Sequence, residues 1–153
     1  MATTRWLDEH EQRAWRSYLE LQRRLSRHLA QQLQRDAGLS EADFEVLVNL
    51  SEAPGHRRRS FELCDDLGWE KSRLSHHLTR MERRGLVARE ECRTDARGAD
   101  VVLTAEGLTT IERAAPRHVA EVRARFVDPL GPERLAELEA ICTIVLAGLE
   151  AED

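Results

Sequence analysis

The sequence predicts a mainly α-helical chain with one small β-hairpin: a winged helix-turn-helix core between N- and C-terminal dimerisation helices. Three observations predict it. Apolar residues recur every three or four positions through most of the 153 residues. Two short helical segments in the middle are joined by a tight turn at Gly68. Two β-compatible runs follow them, separated by the polar turn Cys92-Arg93-Thr94-Asp95-Ala96-Arg97-Gly98.

Each element follows from local signals. From about Glu9 to Arg35, Tyr18, Leu21, Leu25, Leu29 and Leu33 form one apolar stripe, widened by Trp15 and Leu19 and stopped by Gly38. A second helix starts at Ser40, which can cap it. Asp43 can reach back as the capping-box acid, and Leu39 can staple against Phe44. Ala53-Pro54-Gly55 ends it. Ser60 is expected to cap a short helix from Phe61 to Leu67, closed by Gly68. The next helix runs from about Glu70 to Arg84 with Leu74, Leu78 and Met81 inward, and Gly85-Leu86 reads as its glycine cap. Strands are expected at Leu86–Glu91 and Ala99–Leu103. Thr104 caps a long helix in which Pro116 predicts a kink or break near Ala114–Ala115. Asp128-Pro129-Leu130-Gly131-Pro132 reads as a turn, with Pro132 opening the last helix. That helix carries Leu135, Leu138, Cys142, Val145 and Leu149 on one stripe.

Composition narrows the function classes. With 41% hydrophobic residues the chain can build a core, and its length suits one domain with helical extensions. No run approaches the ~18 apolar residues of a membrane span. The N-terminus turns acidic within ten residues, unlike a secretory signal. Cys64, Cys92 and Cys142 are odd in number and widely spaced, which fits a reducing cytoplasm rather than a disulfide framework. There is no Gly-rich phosphate loop, nucleophile elbow or metal–water constellation, so an enzyme is not expected and no cofactor is implied. His76 and His77 are adjacent and point about 100° apart on a helix, a poor pair for a metal.

The formal net charge is −5, yet the middle of the chain is positive. Residues 71–89 carry Lys71, Arg73, Arg80, Arg83, Arg84 and Arg89 against Glu82 alone. Lys71 is the one lysine among 23 basic residues, a bias that reads either as a GC-rich genome or as a surface built to grip phosphates. Opposite the inner stripe of this helix lie Ser72, Arg73, His76, His77, Arg80, Arg83 and Arg84, flanked by Ser75 and Thr79. Hydroxyls and guanidiniums can address base edges in a major groove, and the remaining donors can hold phosphates. Lys71, Ser72, Arg73, Ser75, His76, His77, Thr79, Arg80 and Arg84 are therefore the expected DNA contacts. Arg97 at the hairpin tip suits the negative potential of a minor groove, and Asp95 can steady its guanidinium. His56, beside Arg57-Arg58-Arg59, can touch phosphate. A solvated surface helix and an incidental ion pair are the plainer alternatives.

The chain resembles the MarR family of bacterial transcription regulators. The resemblance rests on Ser72 through Val87 (SRLSHHLTRMERRGLV), on Asp95-Ala96-Arg97-Gly98 in the wing and on Leu103-Thr104-Ala105-Glu106-Gly107. It closely resembles an actinobacterial-type branch with the tryptophan-rich start Trp6-Leu7 and Trp15. The resemblance implies a homodimer whose terminal helices, 1–36 and 105–153, intertwine, and whose winged domains, 40–104, bind a palindromic double-stranded operator. Recognition helices would enter successive major grooves ~34 Å apart. It also implies repression by occluding a promoter, relieved by a small aromatic or phenolic effector. Trp15, Tyr18, His28, Phe44 and His118 can line such a pocket, or else serve core and dimer interface. The wide apolar stripe of the last helix independently asks for a partner.

Two other readings stay open. Cys92, near Arg89 and Arg93, has the electropositive setting of a reactive thiol, which would make the chain a redox-sensing repressor. Cys64 and Cys142 read as packing residues, and the relatives' sensing cysteine near the N-terminus is absent. A winged-helix protein-interaction module without DNA binding is the alternative of a different class.

Overall fold

The computed structural model describes residues 3–91 and 99–150. In chain order the elements are α1 (Glu9–Ala37), α2 (Glu41–Glu52), β1 (Arg57–Arg59), α3 (Ser60–Leu67), α4 (Lys71–Arg83), β2 (Val87–Glu91), β3 (Ala99–Leu103), α5 (Ala105–Val122) and α6 (Asp128–Glu150). The three strands form an antiparallel sheet in the order β1-β3-β2. None of the described helices is long and apolar enough to cross a membrane.

Chain chemistry sets the helix limits. Asp8 opens α1 with a capping box completed by Glu11, and Gly38, at φ 64°, closes it. Ser40 and Asp43 form the same reciprocal box on α2, as their spacing predicts. At the end of α4, Gly85 takes φ 74° and the Leu86 amide donates to the Met81 carbonyl at 3.1 Å, the closing bond of a Schellman turn. These ends fix how α2, α3 and α4 leave and re-enter the core.

One core serves the middle of the chain. Leu39, Val46, Leu47 and Leu50 meet Leu63, Leu74, Leu78 and Met81, with Leu86, Val87, Val101 and Leu103 from the sheet and Ile111 and Ala114 from α5. Gly107 lets α5 dock here: a Cβ on it would lie 2.1 Å from the Leu86 carbonyl oxygen. Thr104 caps α5 and also donates from Oγ1 to the Gly85 carbonyl at 2.6 Å, so helix start and recognition-helix end are stitched together.

Four expectations need correction. First, the sheet is not a hairpin alone: Arg57–Arg59 adds a third strand, paired with Asp100–Val102. Second, Ser60 does not cap α3. It is the first helical residue, and its hydroxyl donates to the Ala99 carbonyl at 2.8 Å, while Glu62 accepts from the Arg59 amide. Third, α5 runs unbroken through Pro116. The lost backbone bond is tolerated because α5 is packed against α1 and α2. The departure from α geometry comes later, as a π turn over Arg123–Val127. Fourth, Cys142 is exposed in the single chain, as are Val145 and Leu149 on the same stripe, and no residue of α6 is buried. Gly131 breaks helical geometry at φ 74°, and Pro132 restarts the helix, as the turn signal predicts.

Candidate nucleic-acid interface

Helix α4 owes its orientation to Leu74, Leu78 and Met81, all sealed in the core. Lys71, Ser72, Arg73, Ser75, His76, Arg80, Arg83 and Arg84 are exposed, and Thr79 is half-buried. Ser72, His76, Thr79 and Arg83, three or four apart, share the rung farthest from the core. Arg83 was not among the expected contacts, although its seven-residue spacing from His76 signals it. It makes no hydrogen bond or ion pair among the described residues, and the same holds for Lys71.

His77 does not face outward. It is buried beside Leu78, and its ring meets Trp69 edge-on at 5.4 Å between centroids. A contact to DNA from this position is therefore withdrawn. Positions 74, 77, 78 and 81 together form the i, i+3, i+4, i+7 face of the helix, and a polar side chain on it turned inward with the rest. Its Nδ1 accepts from Arg80 Nη2 at 3.0 Å, which leaves the ring proton on Nε2. Nε2 lies 2.9 Å from Asp43 Oδ1, near enough for charge attraction but out of line for a hydrogen bond. Burial pushes the His77 pKa down, Asp43 opposes that shift, and Arg80 adds to it. For Asp43, burial raises the carboxyl, but the Arg84 hydrogen bond, the Ser40 amide and the charges of Arg84 and His77 outweigh it and hold it below its ordinary value.

Part of the positive segment is engaged inside the fold. Arg84 donates from Nη1 to Asp43 at 2.7 Å and from Nη2 to the Gly38 carbonyl at 2.8 Å. Arg89, on β2, pairs with Glu82 and donates to the hydroxyls of Thr79 at 2.8 Å and Ser75 at 3.3 Å. Ser75 and Thr79 thus latch the recognition helix to the wing strand. Arg73, Arg80, Arg83 and Lys71 remain without an acidic partner among the described residues. Arg73 instead lies over the Trp69 ring, its guanidinium carbon 4.1 Å from the centroid.

The arginine strand is neutralised locally. Arg57 pairs with Glu90, Arg58 with Asp66, and Arg59 with Asp100 at 3.3 Å. His56 occupies the turn before it at φ 53°. Asp95 and Arg97, the expected wing contacts, and Cys92 lie outside the described residues.

The five expected effector residues fall into two places. Phe44 and His118 are in ring contact at 4.4 Å. His118 Nδ1 donates to the buried Gln32 Oε1 at 3.1 Å, and burial lowers the His118 pKa. Nearby, His28 Nε2 donates to Glu121 at 2.7 Å. These three line the seam between α1 and α5. Trp15 and Tyr18 pair with each other at 5.8 Å, half-exposed, farther along α1. Phe44 also lines a cavity with Glu45, Val48 and Asp66. Cys64 borders a groove of about 660 Å³ between α3, α4 and the sheet, and burial raises its thiol pKa.

Similarity to known proteins follows the same outline. Residues 37–98, which span α2 to the wing, match the model of the MarR family. The HTH-type transcriptional repressor YetL of Bacillus subtilis is 32% identical over 87 residues, 57% of this chain, and the chain spans about half (52%) of that repressor's length. Similarity to solved structures extends through the terminal helices. AbsC, a MarR family transcriptional regulator from Streptomyces coelicolor, superposes with a TM-score of 0.93 and 47% identity, over 97% of this chain and 99% of that one. Sco3205, a MarR family regulator from the same organism solved in complex with DNA, gives 0.92 and 44% over 96% and 92%.

Proposed function

Because the chain belongs to the MarR family of transcriptional regulators, we propose that it binds double-stranded DNA sequence-specifically in the cytoplasm and acts as a homodimeric repressor. The observation that carries this reading is the exposed face of α4. Ser72, His76, Arg80 and Arg83 stand outward on this helix, with no acid engaging the two guanidiniums among the described residues. A surface of this kind offers hydroxyl and arginine donors to base edges and leaves Lys71 and Arg73 for phosphates.

Residues 40–104 would form the DNA-binding unit, and 1–36 with 105–153 the dimerisation region. Helix α6 supports the second assignment: Ile141, Ile144, Val145, Leu146 and Leu149 are all more than half exposed in the single chain. A twofold dimer implies a palindromic operator with half-sites ~34 Å apart. Release by a small aromatic compound belongs to the same reading. Its site would need a second copy to close, since the α1–α5 seam holds His28, Phe44 and His118 while Trp15 and Tyr18 stand apart.

A gel shift with the chain's own upstream region tests the proposal. Retarded DNA that competes away only with the same sequence is the expected result. DNA left unshifted at micromolar protein would point to a winged-helix protein-interaction module instead.

A further inference from the structure

We propose that Trp69 and His77, both turned away from solvent, are positioning residues for DNA binding: Trp69 holds Arg73, and His77 holds Arg80, in the orientations in which those guanidiniums meet the duplex. The inference rests on α4 being the recognition helix, and it concerns two side chains that no DNA atom would touch.

An exposed arginine is free in four torsions, and a contact made by an unordered one loses much of its value in fixing it. Neither Arg73 nor Arg80 has an acidic partner among the described residues, yet neither is loose. Trp69 sits in the turn between α3 and α4. Its amide donates to the Cys64 carbonyl at 3.0 Å, just after Gly68 closes α3 in the left-handed conformation. That anchors the ring, and the Arg73 guanidinium stacks on its face. His77 meets the same ring edge-on and accepts from Arg80 Nη2 through Nδ1.

The acceptor role of Nδ1 is imposed from inside. Arginine can only donate, so Nδ1 must be unprotonated, and the proton sits on Nε2 facing the Asp43 carboxylate. Asp43 is itself held by the Ser40 amide and by Arg84. A chain of contacts therefore runs from the α2 capping box through His77 to Arg80. Residues 69, 73, 77 and 80 fall three or four apart, so both supported guanidiniums lie along one flank of the helix. If Trp69 and His77 only filled the core, aliphatic side chains would serve as well.

Duplexes enriched from a random-sequence pool by the wild-type protein provide the probe, with affinity read by fluorescence anisotropy. Arg73→Ala and Arg80→Ala should each weaken binding about tenfold. His77→Leu should weaken it about as much as Arg80→Ala, and the double variant should lose less than about twofold more. His77→Gln, which keeps an acceptor, should recover most of the loss. Trp69→Leu should behave in the same way toward Arg73→Ala. Trp69→Phe, which keeps a π face, gives that test at smaller amplitude if the leucine variant melts early. In the DNA-free protein, Nε–H relaxation should show Arg80 mobile in His77→Leu and Arg73 mobile in Trp69→Phe or Trp69→Leu, each without the other.

Losses that add in full in the double variants, or arginine order unchanged in the single ones, would overturn the positioning role while leaving DNA binding intact. Enrichment of no duplex at all would overturn the DNA-binding reading itself. Wild-type affinity in both arginine variants would remove this flank of α4 from the interface.

Discussion

Gly107 meets the Leu86 carbonyl so closely that a methyl group in its place would overlap the oxygen, with Leu103 Cδ1 at 2.8 Å on another side. The helix that leads out of the winged domain is thereby seated against the turn that ends the recognition helix, backbone to backbone. Gly107→Ala should cost about 1–3 kcal/mol of folding stability, the usual penalty for overpacking a tight core. Urea unfolding followed by circular dichroism measures it, and an unchanged midpoint would mean that α5 can slide without loss.

Asp43 carries a capping box, a partner for Arg84 and the charge beside His77, all from a nearly inaccessible position. Asp43→Ala removes the carboxylate half of the capping box and leaves two basic groups without their acid. Arg84 is partly exposed and recovers some hydration, so the expected loss is about 2–3 kcal/mol rather than the larger cost of a fully buried pair. Asp43→Asn, which keeps the cap but not the charge, should lose less. Equal losses would assign the whole effect to the lost charge.

Stability should fall in mild acid. Burial holds the His77 and His118 pKa values below the ordinary histidine range, so the unfolded chain takes up their protons first. Their contribution is complete above about pH 6.5 and is lost as pH falls from there toward their folded values. Asp43, with its carboxyl below the ordinary value, contributes above about pH 3.8 and fails only in stronger acid. Tm should be level from pH 7 to 8 and decline between pH 6.5 and 5, with roughly half of the decline absent in His77→Leu. A slope indifferent to His77 would place the titration elsewhere.

The DNA contacts separate by their response to salt. Lys71 is exposed and makes no hydrogen bond or ion pair among the described residues, so Lys71→Ala should leave stability unchanged and lower the salt slope of binding by about one. Arg97→Ala, in the segment between β2 and β3, should weaken operator binding about tenfold. Affinity unchanged by Arg97→Ala removes the wing from the mechanism.

Helix α6 tests the assembly. Val145 is 57% exposed in the single chain, and Val145→Asp would place a charge on the apolar stripe. Sedimentation equilibrium should move from dimer toward monomer, with operator affinity falling alongside. A dimer of unaltered strength would locate the interface elsewhere.

Much of this architecture is legible in the sequence because its signals are local. Ser40 with Asp43, Gly38, Gly85 with Leu86, and Gly131 with Pro132 each declare a helix end within a few residues. The misses share a different cause. β1 consists of three arginines with no apolar alternation, and its pairing acids lie 8 to 41 positions away in Asp66, Glu90 and Asp100. The polarity of His77 suggests an outward ring while the helical period places it inward, and the period prevails with Arg80 bonding Nδ1 and the Asp43 charge beside Nε2. Thr79 and Ser75 looked like groove-facing hydroxyls, and their engagement by Arg89 depends on the fold of the sheet. Cys142 reads as buried because its stripe is apolar, but a single chain supplies nothing to cover it.

Gly38 closes α1 with a carbonyl that accepts from Arg84, so the last turn of the N-terminal arm is capped by a side chain borrowed from the end of α4. Only Leu39 separates that glycine from the Ser40 cap of α2. The arm and the recognition helix therefore share a fulcrum about one residue long. Torque applied to α1, from whatever bears on it, cannot swing the winged lobe about this point without drawing the C-terminal end of α4 along or stretching a single 2.8 Å bond.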